Sequence, residues 1–561
     1  MTALLMRCRS AGRSFEVEVV VLITLVAGIY FARLGDLPLR GEESRWAQVA
    51  REMLTSGDWV VPRQQGLPFL SRPPLQSWLI ALAAQARGEL DAFAVRLPAA
   101  TAVLLITLLV YAYSRLYLNR LGALAAACAL ATFSQVLQLG RYAETEACFM
   151  LLVSGPLLVW HYGYTRGWPR PAVWLAAYSL VALGALTKGT QAPVYFIGGV
   201  GLYLLWRRDW RWLLSAGHAL GILGFVLIIA AWQWPCYLEV GWQGVRAVWG
   251  GDSSGRLLHP RPASEVALRY ATYPFEIAGC LLPWSILLLA YLSRAFRAAL
   301  DEARPMVGFL AVCLLVALPT CWFVPGTMTR FFLPMYPCLA PLVGLVVQRL
   351  AADPRWQGLA YQRLLGMLAL FMAGVAAIVL AQSWLPLPAA LQPFQQPGWF
   401  ALLYAALAGG LAWTLWQARM RFGPTPARTA VLCLVCFLGL TYNGPILNAM
   451  LQRSEQAASA VEELKHLLPP GQRLVSFGPV HHLFAYYFGE PIEQHPNRPR
   501  PQDCRDVVYF CCDARDGLLP KLPFAWEAVG VVSMDRNRHA VPSQAVVVGR
   551  RLNPARAADS E

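Results

Sequence analysis

The chain has 561 residues, 57% hydrophobic and only 14% charged, with a formal net charge of +15. Soluble proteins carry about 25% charged residues, so a soluble globular fold is excluded. Repeated apolar runs of roughly 17–22 residues indicate a polytopic membrane protein. The positive balance, which in a soluble chain would suggest nucleic acid, is mostly arginine between apolar runs and is accounted for by topology. No RNA- or DNA-binding motif is visible.

In chain order, Arg7, Arg9 and Arg13 precede the apolar run Val17–Phe31. No small-residue cleavage site follows, so this reads as an uncleaved first span. The next stretch, Gly41 to Leu75, is long and charged, with Glu42, Glu43, Arg45, Glu52, Asp58 and Arg72 among aromatic residues such as Trp46 and Phe69. Glu42, Arg45, Trp46 and Val49 fall at helical spacing on one face. A charged loop of this length between spans is expected to have a function. Leu75–Ala86 is apolar but too short to span, and reads as a helix at the membrane interface. Further spans are expected near 96–114, 121–139, 145–162, 171–187, 190–206, 213–234, 275–292, 306–323, 331–348, 363–382, 398–416 and 428–446, about thirteen in all.

Arginine placement sets the orientation. With a cytoplasmic N-terminus, the inside loops hold Arg115/Arg120, Arg166/Arg170, Arg207/Arg208/Arg211, Arg294/Arg297/Arg304, Arg349/Arg355/Arg363 and Arg419/Arg421/Arg428. Two long outside loops, 34–75 and 235–275, are the exceptions. From Leu447 the chain changes character. Ser454–Leu468 has helical periodicity, and Arg473–Phe477, Val507–Phe510, Val529–Met534 and Ala545–Val548 read as short strands. The fold class is therefore a polytopic α-helical membrane domain over residues 1–446, with the site on its first outer loop (34–95). A small extracytoplasmic α/β domain over 447–561 follows. Most of the thirteen cysteines lie in apolar runs and read as small buried hydrophobes. Cys504, Cys511 and Cys512 lie in the polar tail, where one disulfide could form in an oxidising compartment.

Ionisable residues at the outer ends of spans form a short list: Glu42, Glu43, Arg45, Arg72, Arg141, Glu144, Glu146, Lys188, Asp252, Arg256, His259, Arg261 and Arg330. Each alone could be a snorkelling side chain or a structural ion pair. Together they suit an anionic lipid headgroup, because arginine forks and a lysine clamp phosphate. A carboxylate among them could take a proton from an acceptor hydroxyl, and the cations would stabilise a departing lipid phosphate. Neither GxxxxGK[ST] nor GxGxxG is present, so an activated donor would be lipid-linked rather than a nucleotide.

At these residues the chain resembles the GT-C membrane glycosyltransferases, specifically the bacterial branch that includes aminoarabinose transferases and protein O-mannosyltransferases. The resemblance rests on Glu42-Glu43-Ser44-Arg45-Trp46-Ala47, Arg51-Glu52-Met53, Gly57-Asp58-Trp59, Arg72-Pro73-Pro74-Leu75, Arg96-Leu97-Pro98, Leu186-Thr187-Lys188-Gly189 and Arg330-Phe331-Phe332-Leu333-Pro334, and covers about the first 445 residues. It implies Glu42 as catalytic base or acceptor-orienting acid and Glu146 as second acid. It implies Glu43, Arg45, Trp46, Arg72, Lys188, Arg256 and Arg330 on the substrate side. Both family aspartates stand here as glutamates and the Lys-Pro-Pro lysine as Arg72. A divalent ion near the first loop is compatible with the resemblance, but the acid that precedes that lysine in aminoarabinose transferases is here Ser71, and no metal ligand is assigned.

The implied activity is transfer of a sugar, hexose or pentose, from a polyprenyl phosphate such as undecaprenyl phosphate. The implied acceptor is lipid A, another envelope glycan or a protein, at the periplasmic face of a bacterial inner membrane. The contrasting reading is a catalytically degenerate transporter or scaffold for lipid-linked sugars. The acid pair separates the two, since a transporter needs the cations but has no evident use for Glu42.

Overall fold

The computed structural model describes residues 16–258, 262–324, 326–352, 359–382, 384, 392–454, 456–500, 504, 506–514, 522–534 and 545–552, with the side chains of 251–258, 301, 359–360, 393, 453–454 and 456 outside that description. Among the described residues nine helices are long and apolar enough to cross a membrane, and a bent pair makes a tenth. Shorter helices at 16–31, Arg120–Thr132 and Gln191–Trp206 occupy the remaining predicted segments. The chain divides into two compact units: 1–34, 71–75 and 96–448 form the first, and 35–70, 76–95 and 449–561 the second.

Among the described residues the first unit holds helices and no strand. Ala92–Ser114 and Glu146–Arg166 are typical spans. Arg120–Thr132 is shorter, yet every residue from Leu121 to Thr132 is buried. Its Ala-rich face admits a neighbour at backbone distance: a Cβ on Gly344 would lie 2.2 Å from the Gly122 carbonyl oxygen. Such small-residue contacts hold spans together where no hydrophobic force acts between them. Helices Glu146–Arg166 and Arg170–Lys188 form a hairpin closed by Gly167 at φ 67° and by Pro169. The first residue of one and the last residue of the other therefore lie at the same end.

Two sequence expectations are corrected here. The segment 235–275 is not a loop: Ala216–Leu258 is continuous except for a kink at Gly241 (φ 66°, ψ −174°), and Ala263–Cys280 is again helical. Trp232, Cys236, Val245 and Val248 supply the apolar positions that bury it. Likewise 275–292 is not one straight span, because the chain bends by 117° between Ala263–Cys280 and Ser285–Leu292. Pro283 supplies no N–H to continue the helix there.

The second unit starts with the helix Glu43–Ser56, which ends at Gly57 in the left-handed conformation. A hairpin of β1 (Arg63–Gln64) and β2 (Leu67–Pro68) follows. Its turn, Gln65-Gly66, has φ of 52° and 75°, as a two-residue turn matching strand twist requires. Glu52 secures it by accepting the N–H groups of both turn residues, at 2.6 and 3.0 Å. The short apolar segment forms the helix Leu75–Arg87, and Trp78 Nε1 donates to the Trp59 carbonyl.

The tail of this unit is a five-stranded sheet of β3 (Leu474–Phe477), β4 (Glu493–His495), β5 (Tyr509–Ala514), β6 (Trp526–Ser533) and β7 (Ala545–Arg551), in the order β4-β3-β5-β7-β6. β3 is parallel to both neighbours, whereas β5/β7 and β7/β6 are antiparallel. Alternation along β5 sends Cys511 into one core with Leu464, Phe484 and Val548, and Phe510 and Cys512 into the other. Cys504, Cys511 and Cys512 are all free thiols, and Cys511 faces away from the other two. The helices Gln456–His466 and His482–Phe488 cover the first of these faces.

The candidate active site

Within the first unit the hairpin of spans decides the geometry. Glu146 is the first residue of its helix and Lys188 the last residue of the next. Each sits where the helix dipole favours its charge. The two meet: Lys188 Nζ lies 2.7 Å from Glu146 Oε1, with side chains 8% and 5% exposed. Arg330, on the turn Thr329–Phe331, donates to Glu144 Oε2 at 2.7 Å and places its Nε 3.8 Å from Glu146 Oε1. Two acids and two cations thus form one quartet. Phe149 and Phe331 present ring faces to the Lys188 ammonium at 5.7 and 5.2 Å.

The turn that carries the acids is fixed by Arg141. Its guanidinium, 4% exposed, donates to the carbonyls of Ile29 and Ala32 and to Asn443 Oδ1. The first span and the segment Tyr442–Ile446 both take π-helical form there. Of the three acceptors, the Ile29 carbonyl and the Asn443 side chain stand on these segments, and the Ala32 carbonyl directly follows the first.

Beside the quartet lies an open cavity of about 300 Å³, lined by Ser71, Arg72, Pro73, Lys188, Thr190, Gln191, Tyr195, Trp249, Thr320, Thr327 and Phe331. One wall is a hydroxyl chain in which Gln191 Nε2 donates to Tyr195 Oη at 2.6 Å and Tyr195 Oη contacts Thr320 Oγ1 at 2.5 Å. The geometry is that of a polar chamber at the ends of spans, with Arg72 and Lys188 as its cations.

Glu42, Glu43, Arg45 and Trp46 belong to the second unit. Glu42 directly precedes the helix Glu43–Ser56 without a side-chain capping bond, and Arg45 Nη1 lies 2.6 Å from its Oε2. Both side chains are part-exposed, at 40% and 32%. Arg45 also faces the Phe69 ring, which packs edge-on against Trp46. Glu43, by contrast, is 1% exposed and accepts the Arg40 N–H, and Trp46 is buried. These two are occupied in holding the loop. The side chain of Arg256, with those of Asp252, His259 and Arg261, lies outside the described residues.

Several residues of the cavity escaped the sequence reading. Gln191, Tyr195 and Thr320 are ordinary members of apolar runs and Trp249 falls in the segment read as a loop, and the one available signal was polar side chains clustered near span ends. Glu18 was also overlooked. It is 1% exposed in the first helix, hydrogen-bonded by Tyr111, and paired with Arg428 at 3.1 Å. An acid inside a predicted span was the clue.

A match to the dolichyl-phosphate-mannose-protein mannosyltransferase family covers residues 71–234. This range holds Arg72, Glu146 and Lys188. The undecaprenyl phosphate-α-4-amino-4-deoxy-L-arabinose arabinosyl transferase of Pseudomonas paraeruginosa (strain PA7) is 30% identical over 408 residues, 70% of each chain. The chain belongs to the undecaprenyl phosphate-aminoarabinose arabinosyl transferase family. It is a polytopic membrane glycosyltransferase. The Erwinia tasmaniensis family member is 28% identical over 58% of each chain. The crystal structure of ArnT from Cupriavidus metallidurans bound to undecaprenyl phosphate superposes with a TM-score of 0.69 at 20% identity, covering 94% of this chain and 97% of that one. Its apo form gives 0.67. The family's GT-C architecture is thus shared along nearly the whole length. Among the described residues no group of three or more His, Cys, Asp or Glu is arranged to hold a metal ion. Ser71, a neutral hydroxyl, lines the cavity next to Arg72 and Pro73.

Proposed function

We propose that this enzyme transfers a pentose of the aminoarabinose type from undecaprenyl phosphate to lipid A at the periplasmic face of the inner membrane. Family membership supports the donor class. The observation that carries the reading at residue level is the buried Glu146–Lys188 pair, joined to Arg330 and Glu144 beside the cavity that Arg72 lines. Arg72 and Lys188 hold the donor phosphate, with Arg330 behind them. Glu146 orients Lys188, and Arg141 fixes the turn on which both acids stand. The acceptor oxygen attacks the anomeric carbon as the bond from that carbon to the phosphate oxygen breaks. The bonding pair leaves with the phosphate, and the acceptor proton passes to Glu42. Arg45 holds the Glu42 carboxylate until substrate arrives, while Glu43 and Trp46 support the loop.

The arginine distribution between spans supports a cytoplasmic N-terminus and a periplasmic tail. The test is mass spectrometry of lipid A and of polyprenyl-phosphate sugars from cells with wild-type protein, without it, and with Glu42→Gln. Loss of the sugar from lipid A with accumulation of its lipid-linked donor is expected in the last two. A Glu42→Gln strain that modifies lipid A normally would remove Glu42 from the reaction. A protein-free strain with unchanged pools of both lipids, grown where the donor is made, would overturn the assignment.

A further inference from the structure

One helix of the tail domain reaches the segment that precedes Glu42. The chain turns at Gly41, whose φ of 56° lies in the left-handed region. The Gly41 carbonyl has two donors: Ser44 Oγ at 3.0 Å and Nε2 of His482 at 2.9 Å. Two residues earlier, the Leu39 carbonyl accepts from Tyr487 Oη at 2.8 Å. More than two turns into the loop helix, Arg51 donates to the Tyr486 carbonyl at 3.1 Å and lies over the Tyr486 ring at 4.7 Å. Two residues of the single helix His482–Phe488 therefore fasten the backbone just before Glu42, and a third, Tyr486, holds the Arg51 side chain beyond it.

The contact is built rather than incidental. His482 is 6% exposed, its ring stacks on His481 at 4.3 Å, and the His481 N–H is held by Asp513 Oδ1 at 3.0 Å. Burial, with His481 and Arg45 nearby, pushes the His482 pKa down to about 3. The imidazole is thus neutral at working pH, with one N–H, and the short contact to a carbonyl requires that N–H on Nε2. An acid that must accept a proton in a transition state gains from a fixed backbone, since misplacement by about 1 Å can cost a rate factor of about a hundred.

We propose that His482 and Tyr487 are positioning residues for Glu42, so that the tail domain works as a clamp that sets the acid's place in the reaction. This rests on the assignment of Glu42 above. Purified full-length enzyme would be assayed with undecaprenyl phosphate-aminoarabinose as donor and lipid A as acceptor. His482→Leu removes the donor at similar volume. His482→Gln keeps a terminal N–H within reach of Gly41, and Tyr487→Phe removes only the bond to Leu39. His482→Leu is expected to lower kcat by tenfold or more with donor KM within twofold, His482→Gln to recover most of the loss, and Tyr487→Phe to lower kcat severalfold. Glu42→Gln is run alongside. If it stays active, the assignment of Glu42 has failed. If it is inactive while His482→Leu and Tyr487→Phe both keep kcat within twofold, the clamp is refuted. It is also refuted if His482→Gln does no better than His482→Leu at equal thermal stability. Should His482→Leu not fold, Tyr487→Phe decides by the same criterion.

Discussion

Lys188→Met tests the centre of the site. The Lys188 ammonium lies over the rings of Phe149 and Phe331, so a methionine there would meet apolar ring faces, and the substitution chiefly removes the charge. Glu146 then stays buried with its Oε1 unpaired except for Arg330 Nε at 3.8 Å. Removing one partner of a buried pair costs about 3–5 kcal/mol, and the remaining cation points to the lower end, about 3 kcal/mol. One kcal/mol shifts Tm by about 2–4 °C in domains of 150–250 residues and by less in longer chains, so a fall of about 5 °C is expected. Glu146→Gln alone leaves a buried ammonium and should cost a similar amount. The double variant removes both charges and should recover at least about 2 kcal/mol of the summed loss, a coupling typical of residues in direct contact. Thermal unfolding of the four proteins in one detergent gives the cycle, and donor turnover is measured on the same samples. The double variant should be stable and inactive. Additive losses, with no recovery in the double variant, would refute the argument that the two charges depend on each other.

Further outcomes follow from individual contacts. Arg72→Ala should raise donor KM by about 10–100-fold, the worth of a charge-assisted hydrogen bond of about 1.5–3 kcal/mol. Arg72→Lys should keep part of the affinity, as measured by donor titration of initial rates. His482 has its folded pKa depressed to about 3, so the folded state binds fewer protons there than the unfolded chain. Its contribution is complete above the unfolded value near 6.5 and is lost as pH falls from there toward 3, by up to about 1.4 kcal/mol per unit. Unfolding midpoints of wild type and His482→Gln at pH 7.5 and pH 5 should therefore converge at the lower pH. A constant difference between them would show that His482 does not titrate as its surroundings require.

Most of the architecture could be read from the chain because membrane spans announce themselves by length and hydrophobicity. Each of the thirteen predicted segments meets a helix. The errors fell where composition is ambiguous. Asp252, Arg256, His259 and Arg261 made 235–275 look like a loop, although apolar residues at helical spacing continue through Val248. Pro283 lay inside a run that hydropathy alone joins into one span, and backbone geometry breaks it there. In the tail, alternation located four strands, but the three-residue β4 is too short to carry a pattern. At the site, charge in an apolar setting was sufficient to select Glu146, Lys188 and Arg330. The pairing among them was not legible, because it depends on a hairpin bringing residue 146 to residue 188. The part played by His482 was equally invisible, since its partner is a backbone carbonyl 441 residues away and a carbonyl has no sequence signature.

The charge balance of the first-unit cluster bears on why acids stand among the cations proposed to bind phosphate. Arg72, Lys188 and Arg330 stand against Glu144 and Glu146, three positive charges against two negative. On the proposed reaction the donor is a phosphodiester with a single negative charge, and the departing lipid phosphate carries about −1.5 to −2 at neutral pH. Uncompensated cations would bind the ground state tightly and gain little in the transition state, which lowers KM without raising kcat. Cations already paired with carboxylates are held in place, and their attraction for phosphate grows as charge develops on the leaving oxygen. Glu144 and Glu146 then act as restraints that direct binding energy to the transition state. Glu144→Gln, which loosens Arg330 without touching Lys188, should therefore lower donor KM and kcat together. A lower KM with kcat unchanged or increased would show that Glu144 merely neutralises excess charge.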